Sequence, residues 1–180
     1  TALLLMIYKK TGIVTYHGLM ATSDFSRKDE IDSFSLKNFQ NAIIGNDLHF
    51  EGNKTYHKGY CKGIIWGGNL ATVVSLCGTD FIPQENFIFF TEDLNEPVYK
   101  IDKMFTQLFN IQEFKRKCKG IVLGDFLDCG NDIWLDEFFS EFTKEHQIPI
   151  VGGFKITHNK EKITIPIGKK CILSSNKLII

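Results

Sequence analysis

Four residues of this chain with chemical potential fall where strand-like runs end. Glu92 and Asp93 directly follow FIFFT (Phe87 to Thr91), Asp125 follows IVLG, and His158 comes shortly after IPIVGGF. In open α/β sheets, ligands sit just beyond the carboxyl ends of the strands. Neighbouring parallel strands lie about 5 Å apart, so such groups can converge. A carboxylate after a strand also serves as a helix N-cap or turn residue, which is the plain structural reading of Asp93 and Asp125. Glu caps poorly, so Glu92 is harder to explain that way. A Glu and a His without metal-ligand spacing match the acid and base of a nucleophilic triad. There the imidazole removes a proton from Ser or Cys, and the carboxylate fixes its tautomer and stabilises the imidazolium. Such a pair needs a nucleophile on a tight, glycine-flanked turn, and the chain has neither G-x-S-x-G nor a comparable Gly-Ser elbow. Its serines (Ser23, Ser26, Ser33, Ser35, Ser75, Ser140, Ser174 and Ser175) lie in stretches that read as polar excursions or helices.

Other polar candidates are weaker. GGNL, Gly67 to Leu70, reads as a strand-to-helix turn whose backbone amides can meet an anion or carboxylate. Asn69 is either a substrate contact there or a plain N-cap. It is not a G-x-G-x-x-G loop. His17 ends a strand and either lines a site or is structural. His49 and His57 lie in a hydrophilic stretch, and His146 closes a helix, where a partly positive side chain suits the dipole. Trp134, Phe138, Phe139 and Phe142 form an aromatic stripe expected in the core.

The elements that must position these residues follow from periodicity. TALLLMIYKKTG reads as a helix with Gly12 as its C-cap, and IVTYHG as a strand. The helix starts without an initiator Met, which suggests that an N-terminal portion precedes it. Residues 23–44 read as a surface excursion holding a helix or two. GNDLHFEGNKTYHKG reads as a hairpin or linker, with a domain boundary near Glu51. Beyond it come strand KGIIW, turn GGN, helix LATVVSLCG, strand NFIFFT, helix VYKIDKMFTQLF, strand GIVLGDF, helix NDIWLDEFFSEFTKEH and strand IPIVGGF. The final stretch, ITIPIGKKCILSSNKLII, has strand composition only. This alternation predicts an α/β fold, a mainly parallel sheet flanked by helices with a β-rich C-terminal element.

Composition narrows the function classes. The 180 residues are 43% hydrophobic and 23% charged, as in ordinary globular domains. Lys+Arg and Asp+Glu both number 21, so no basic excess draws the chain to nucleic acid or a membrane surface. No apolar run nears the roughly 20 residues that span a bilayer. The five cysteines, Cys61, Cys77, Cys118, Cys129 and Cys171, are scattered without C-x-x-C spacing. That predicts free, mostly buried thiols, no metal site and a reducing, cytoplasmic setting.

Several blocks, in order, resemble the LD-carboxypeptidase family of serine peptidases, which includes muramoyltetrapeptide carboxypeptidases and microcin C immunity peptidases. GIIWGGNLATVVSLCGTDFIP is similar to the family's Gly-Gly-Asn-Leu segment with its downstream Gly-Thr and Pro. IFFTEDLNEPVYKIDKMFTQL resembles its acidic strand end followed by Tyr-x-Ile-Asp. GIVLGDF and IPIVGGFKITHNKEKITIPIG match its later strand and histidine loop, and TALLLMIYKKTGIVTYHG resembles the segment after the nucleophile region. Two positions depart from the usual pattern: Thr157 stands where Gly is common, and Leu19 where Pro is common.

The resemblance implies a Ser-Glu-His triad with Glu92 as the acid, Glu96 as the alternative acid, and His158 as the base. The serine then belongs to family sequence ahead of Thr1. It implies residues 1–50 as the remnant of a nucleophile-bearing domain with its linker, and residues 51–180 as the C-terminal domain supplying Glu and His. The implied reaction is cleavage of the L,D bond before a terminal D-alanine of muropeptides in cell-wall recycling, with no metal or organic cofactor. A cytoplasmic homodimer acting on a muropeptide or small peptide is the corresponding expectation, and the 180 residues alone are expected to be inactive. Peptide–nucleotide hydrolysis in antibiotic self-immunity and non-catalytic binding of peptidoglycan fragments are the alternatives.

Overall fold

The computed structural model describes residues 1–26 and 31–180. Its elements are α1 (Ala2–Thr11), β1 (Thr15–His17), α2 (Ser33–Ile44), β2 (His49–Glu51), β3 (Lys54–His57), β4 (Tyr60–Asn69), α3 (Leu70–Val74) and β5 (Phe87–Leu94). They continue with α4 (Val98–Phe109), α5 (Gln112–Lys117), β6 (Cys118–Leu127), α6 (Asp132–His146), β7 (Ile150–Gly152), β8 (Ile165–Ile167), β9 (Lys170–Ser174) and β10 (Lys177–Ile179). The α/β reading holds. The expectation of helices within residues 23–44 is met by α2; its part at residues 27–30 lies outside the described residues.

The main sheet has eight strands in the order β2-β10-β9-β4-β5-β6-β7-β3. Strands β4, β5, β6 and β7 pair in parallel and form its centre. Antiparallel strands extend it on both sides, β9 against β4 and β3 against β7. A two-stranded ladder of β1 and β8 stands apart from it.

The central strand β5 is buried along nearly its whole length, as a strand covered on both faces must be. Alternation sends Phe87 and Phe89 to one face, where their rings meet Phe114 at 5.1 and 5.3 Å and Trp66 at 5.2 and 6.2 Å. Helix α4 adds Phe105, which touches Phe89, Phe138, Phe139 and Phe142 edge-on. Such tilted and T-shaped contacts suit the ring quadrupoles and add to the burial itself. Phe90 points to the opposite face and packs edge-on against His17 of β1, 5.3 Å between centroids.

Three expectations need correction. Residues 45–59 are neither a hairpin nor a linker: β2 pairs with β10 and β3 with β7, at opposite edges of the sheet. Trp134 is not core but 62% exposed, because α6 buries Leu135, Phe139 and Phe142, one helical face away from it. His146 does not meet solvent at the helix end. Its ring packs on Phe109 and Phe142 (4.7 and 4.2 Å), and burial lowers its pKa, which favours the neutral form. The cysteines are free, as expected, with Cys61, Cys118, Cys129 and Cys171 buried. Among the described residues no helix is long and apolar enough to cross a membrane.

Candidate functional site

The two adjacent acids at the end of β5 have different surroundings because successive strand side chains point to opposite faces. Asp93 turns toward the start of α3. Its Oδ1 accepts from Asn69 Nδ2 (2.7 Å) and from its own neighbour's amide, Leu94 N (2.8 Å), while Oδ2 accepts from Ala71 N (2.9 Å). It therefore satisfies an amide of the first turn of α3 that no helical carbonyl reaches. Asn69 caps the same helix, its Oδ1 accepting from Thr72 N (3.0 Å) and Thr72 Oγ1 (2.7 Å). The expected GGN turn is instead the end of β4, which runs on through Gly67 and Gly68 to place Asn69 opposite Glu92.

Glu92 shares the face of Phe90. It is 1% exposed, and neither carboxylate oxygen accepts a well-aligned hydrogen bond among the described residues. Burial, and next the charge of Asp93, push its pKa up from 4.5 to about 7. A buried acid so poorly satisfied is costly to keep, and such groups concentrate at functional sites. The group that reaches it is His158: Nε2 stands 3.1 Å from Glu92 Oε2, while the imidazole keeps 45% of its side-chain surface exposed.

How a histidine 66 positions along the chain arrives there is a matter of close backbone passage. After β7 the chain turns at Gly153 (φ 81°), where a β-carbon would lie 1.7 Å from Asn53 Oδ1. It then crosses the end of β6, with Phe154 N donating to Leu123 O (3.3 Å) and Asp125 N donating to Ile156 O (2.9 Å). At Gly124 a β-carbon would lie 2.2 Å from Ile156 O, so only glycine allows the crossing. Phe154 and Ile156 are buried at 1% each and anchor the loop. The β5–β6 register slips between Thr91 and Asp93, so β6 carries one extra residue beside Glu92. Thr157 is not among the residues with positive φ, and its Oγ1 accepts from Asn159 N (3.1 Å), so a side chain is accommodated where the resemblance suggests glycine.

The other sequence candidates lie in various places. Asp125 is at the crossing, where Asn159 Nδ2 reaches its Oδ2 at 3.4 Å. Glu96 is half-buried in the turn before α4 and pairs with Lys100, one helical turn on, at 3.1 Å. His17 faces the site from β1; burial lowers its pKa to about 4 and His158 and Lys162 act in the same direction, so the ring is neutral. His49 is exposed on β2. What reading the sequence missed is a serine: Ser35, fully buried at the first turn of α2, bonds to the histidine loop. Its contact spans 125 positions and carries no local signal.

Residues 62–173 match the LD-carboxypeptidase C-terminal domain family. The chain is 29% identical to a probable murein peptide carboxypeptidase of Bacillus subtilis, over 94% of this chain and 56% of that protein. It is 25% identical to the microcin C7 self-immunity protein MccF of Escherichia coli, over 94% of this chain and 59% of that protein. Among solved structures it superposes on muramoyltetrapeptide carboxypeptidase from Oxalobacter formigenes with a TM-score of 0.84 and 26% identity, covering 99% of this chain and 64% of that one. The chain thus spans somewhat more than half the length of the relatives it matches.

Proposed function

Because the chain belongs to the LD-carboxypeptidase family, we propose that the intact protein is a serine-type LD-carboxypeptidase that removes the terminal D-alanine of muropeptides. The observation carrying this reading is the 3.1 Å approach of His158 Nε2 to a buried, otherwise poorly satisfied Glu92. In the proposed mechanism His158 is the general base and then the general acid, and Glu92 is its orienting partner. With Nε2 committed to the carboxylate, Nδ1 is the nitrogen that takes the proton of the attacking hydroxyl. That hydroxyl belongs to a serine outside residues 1–180, in the part of the relatives that this chain does not span. Attack on the carbonyl of the L,D bond leaves the imidazolium, which Glu92 stabilises in its ionised form. The proton then passes to the departing amine of D-alanine, and a water attacks the acyl-enzyme in the second half.

Residues 51–180 are the domain that supplies Glu92 and His158, and residues 1–50 go with the nucleophile-bearing part. Asn69 and Glu96 border the substrate rather than react with it. A homodimer working in the cytoplasm on cell-wall fragments completes the reading. The likeness to MccF favours a second substrate class, a peptide–nucleotide conjugate, cut by the same residues.

Incubating the intact protein with a muropeptide tetrapeptide and, separately, with a peptide–nucleotide distinguishes the two: released D-alanine supports the first and released nucleotide the second. His158→Ala in the intact protein lowers kcat by about a million-fold or to background, as removal of a triad base does. Near-normal turnover of that variant rejects the mechanism, and binding of muropeptide without any cleavage by the wild type means a fragment-binding module instead. The 180 residues alone are expected to release no D-alanine.

A further inference from the structure

The loop carrying His158 is gripped from outside the sheet. Ser35 stands in the first turn of α2, whose N-cap Asp32 accepts from Ser35 N at 2.9 Å. The Ser35 hydroxyl does more than a cap requires. It lies 2.9 Å from Asp32 Oδ1 and 2.9 Å from Lys160 O, and it accepts from Lys162 N at 2.9 Å. A hydroxyl has one proton and two lone pairs. Its proton is therefore shared between the carboxylate and the Lys160 carbonyl, while its oxygen receives the Lys162 amide. One buried atom joins a helix cap to two backbone positions just beyond the histidine.

Two more ties bracket the same loop. Lys162 Nζ pairs with Asp24 Oδ1 at 3.0 Å, both side chains largely buried, and Asp24 Oδ2 accepts from Met20 N at 2.8 Å. Ahead of the histidine, Lys155 Nζ stands 4.8 Å over the ring of Phe34. Residues 155 and 162 are thus held by Phe34 in the first turn of α2 and by Asp24 ahead of that helix, with His158 between them.

We infer that Ser35 is a positioning residue for His158, fixing the histidine loop through the Lys160 carbonyl and the Lys162 amide. This rests on the reading of His158 as the base. It assigns to the start of α2 a part in catalysis although Ser35 does not touch the reacting groups.

The test uses the intact protein with Ser35→Ala, Ser35→Cys and Asp24→Asn. A displacement of an ångström at a catalytic group costs about 100-fold, so Ser35→Ala is expected to lower kcat on the tetrapeptide about 10- to 100-fold, with KM within about twofold. Ser35→Cys fills the same space with a weak donor and acceptor and is expected to behave like the alanine variant. The ring NMR signals of His158 are expected to move in all three variants while those of exposed His49 stay in place. Asp24→Asn reads the same loop through Lys162 even if Ser35→Ala folds poorly. Unchanged kcat and unmoved His158 signals in the Ser35 variants overturn the inference. So does full recovery of kcat by Ser35→Cys, which means that only packing matters. If His158→Ala keeps its turnover, the assignment of the base falls by itself, and displaced His158 signals in Ser35→Ala still uphold the structural grip.

Discussion

Glu92 and His158 meet at one point but are held there by different kinds of structure. The acid is the continuation of β5, a strand whose phenylalanines are fully buried and whose ladder partners lie on both sides. The histidine rides a loop that follows a three-residue strand and is fixed by a glycine crossing, two buried anchors and a few polar ties. A site assembled this way divides its tasks. The sheet supplies a fixed, desolvated charge whose placement is inseparable from folding. The loop supplies a solvent-accessible ring, which in the proposed mechanism moves a proton and meets substrate. Damage to the first region is read in stability and electrostatics as well as in turnover, and damage to the second in turnover with the fold intact.

Glu92→Gln breaks the comparison from the strand side and carries the largest expected effect after His158→Ala. Turnover drops by about 10,000-fold, because the imidazole loses both its orienting partner and its counter-charge. Stability changes in the opposite sense. The folded-state pKa of Glu92 is about 7 against an ordinary 4.5, so the folded protein holds an extra proton between those values and loses stability as pH rises through 7. Denaturant titrations are expected to show the glutamine variant more stable than wild type at pH 8, by an amount on the order of 2 kcal/mol, with the gap closing toward pH 5. For wild type the same ionisation gives the reverse profile in activity: kcat/KM rises as pH passes through neutrality, since only ionised Glu92 stabilises the imidazolium.

Gly124→Ala tests the loop side. Its β-carbon would sit 2.2 Å from the Ile156 carbonyl oxygen, so the crossing must lift and carry His158 away from Glu92. Turnover is expected to fall about 100-fold while circular dichroism keeps the native spectrum; wild-type kinetics in this variant would mean that the crossing does not set the ring's place. Trp134→Ser sharpens the contrast from a region belonging to neither. At 62% exposure this ring changes stability by about 0.5 kcal/mol or less on substitution, and leaves kcat alone. A loss of several kcal/mol there would restore it to the core.

The Glu–His pair was legible because Glu92 closes one apolar run and His158 follows soon after another, and such runs are visible where turn residues bound them. That Asp93 is structural was also legible as a possibility, though the helix amide it satisfies belongs to α3, more than 20 positions upstream. Strands β2 and β3, of three and four residues, were not, since so short a run carries no alternation to read, and their partners lie far along the chain. Helix α5, six residues, falls below the length at which periodicity speaks. Trp134 misled because an aromatic stripe on α6 spans two adjacent faces, and only packing decides which is buried. The grip on the histidine loop was hidden for the simplest reason: a buried serine looks like any other until its partners are known.

The two outermost strands, β2 and β3, are separated along the chain by Gly52 and Asn53 alone. Two residues reach across about 10 Å, so the sheet must curl until its rims come that near. At this seam Gly52 N donates to Asn176 O (2.8 Å), and Asn176 Nδ2 donates to Gly52 O (3.1 Å). Neither rim is therefore free to peel by itself: fraying that begins at one tugs the other through a very short tether. Slow amide exchange is expected to release both together, as one cooperative hem around the central parallel strands.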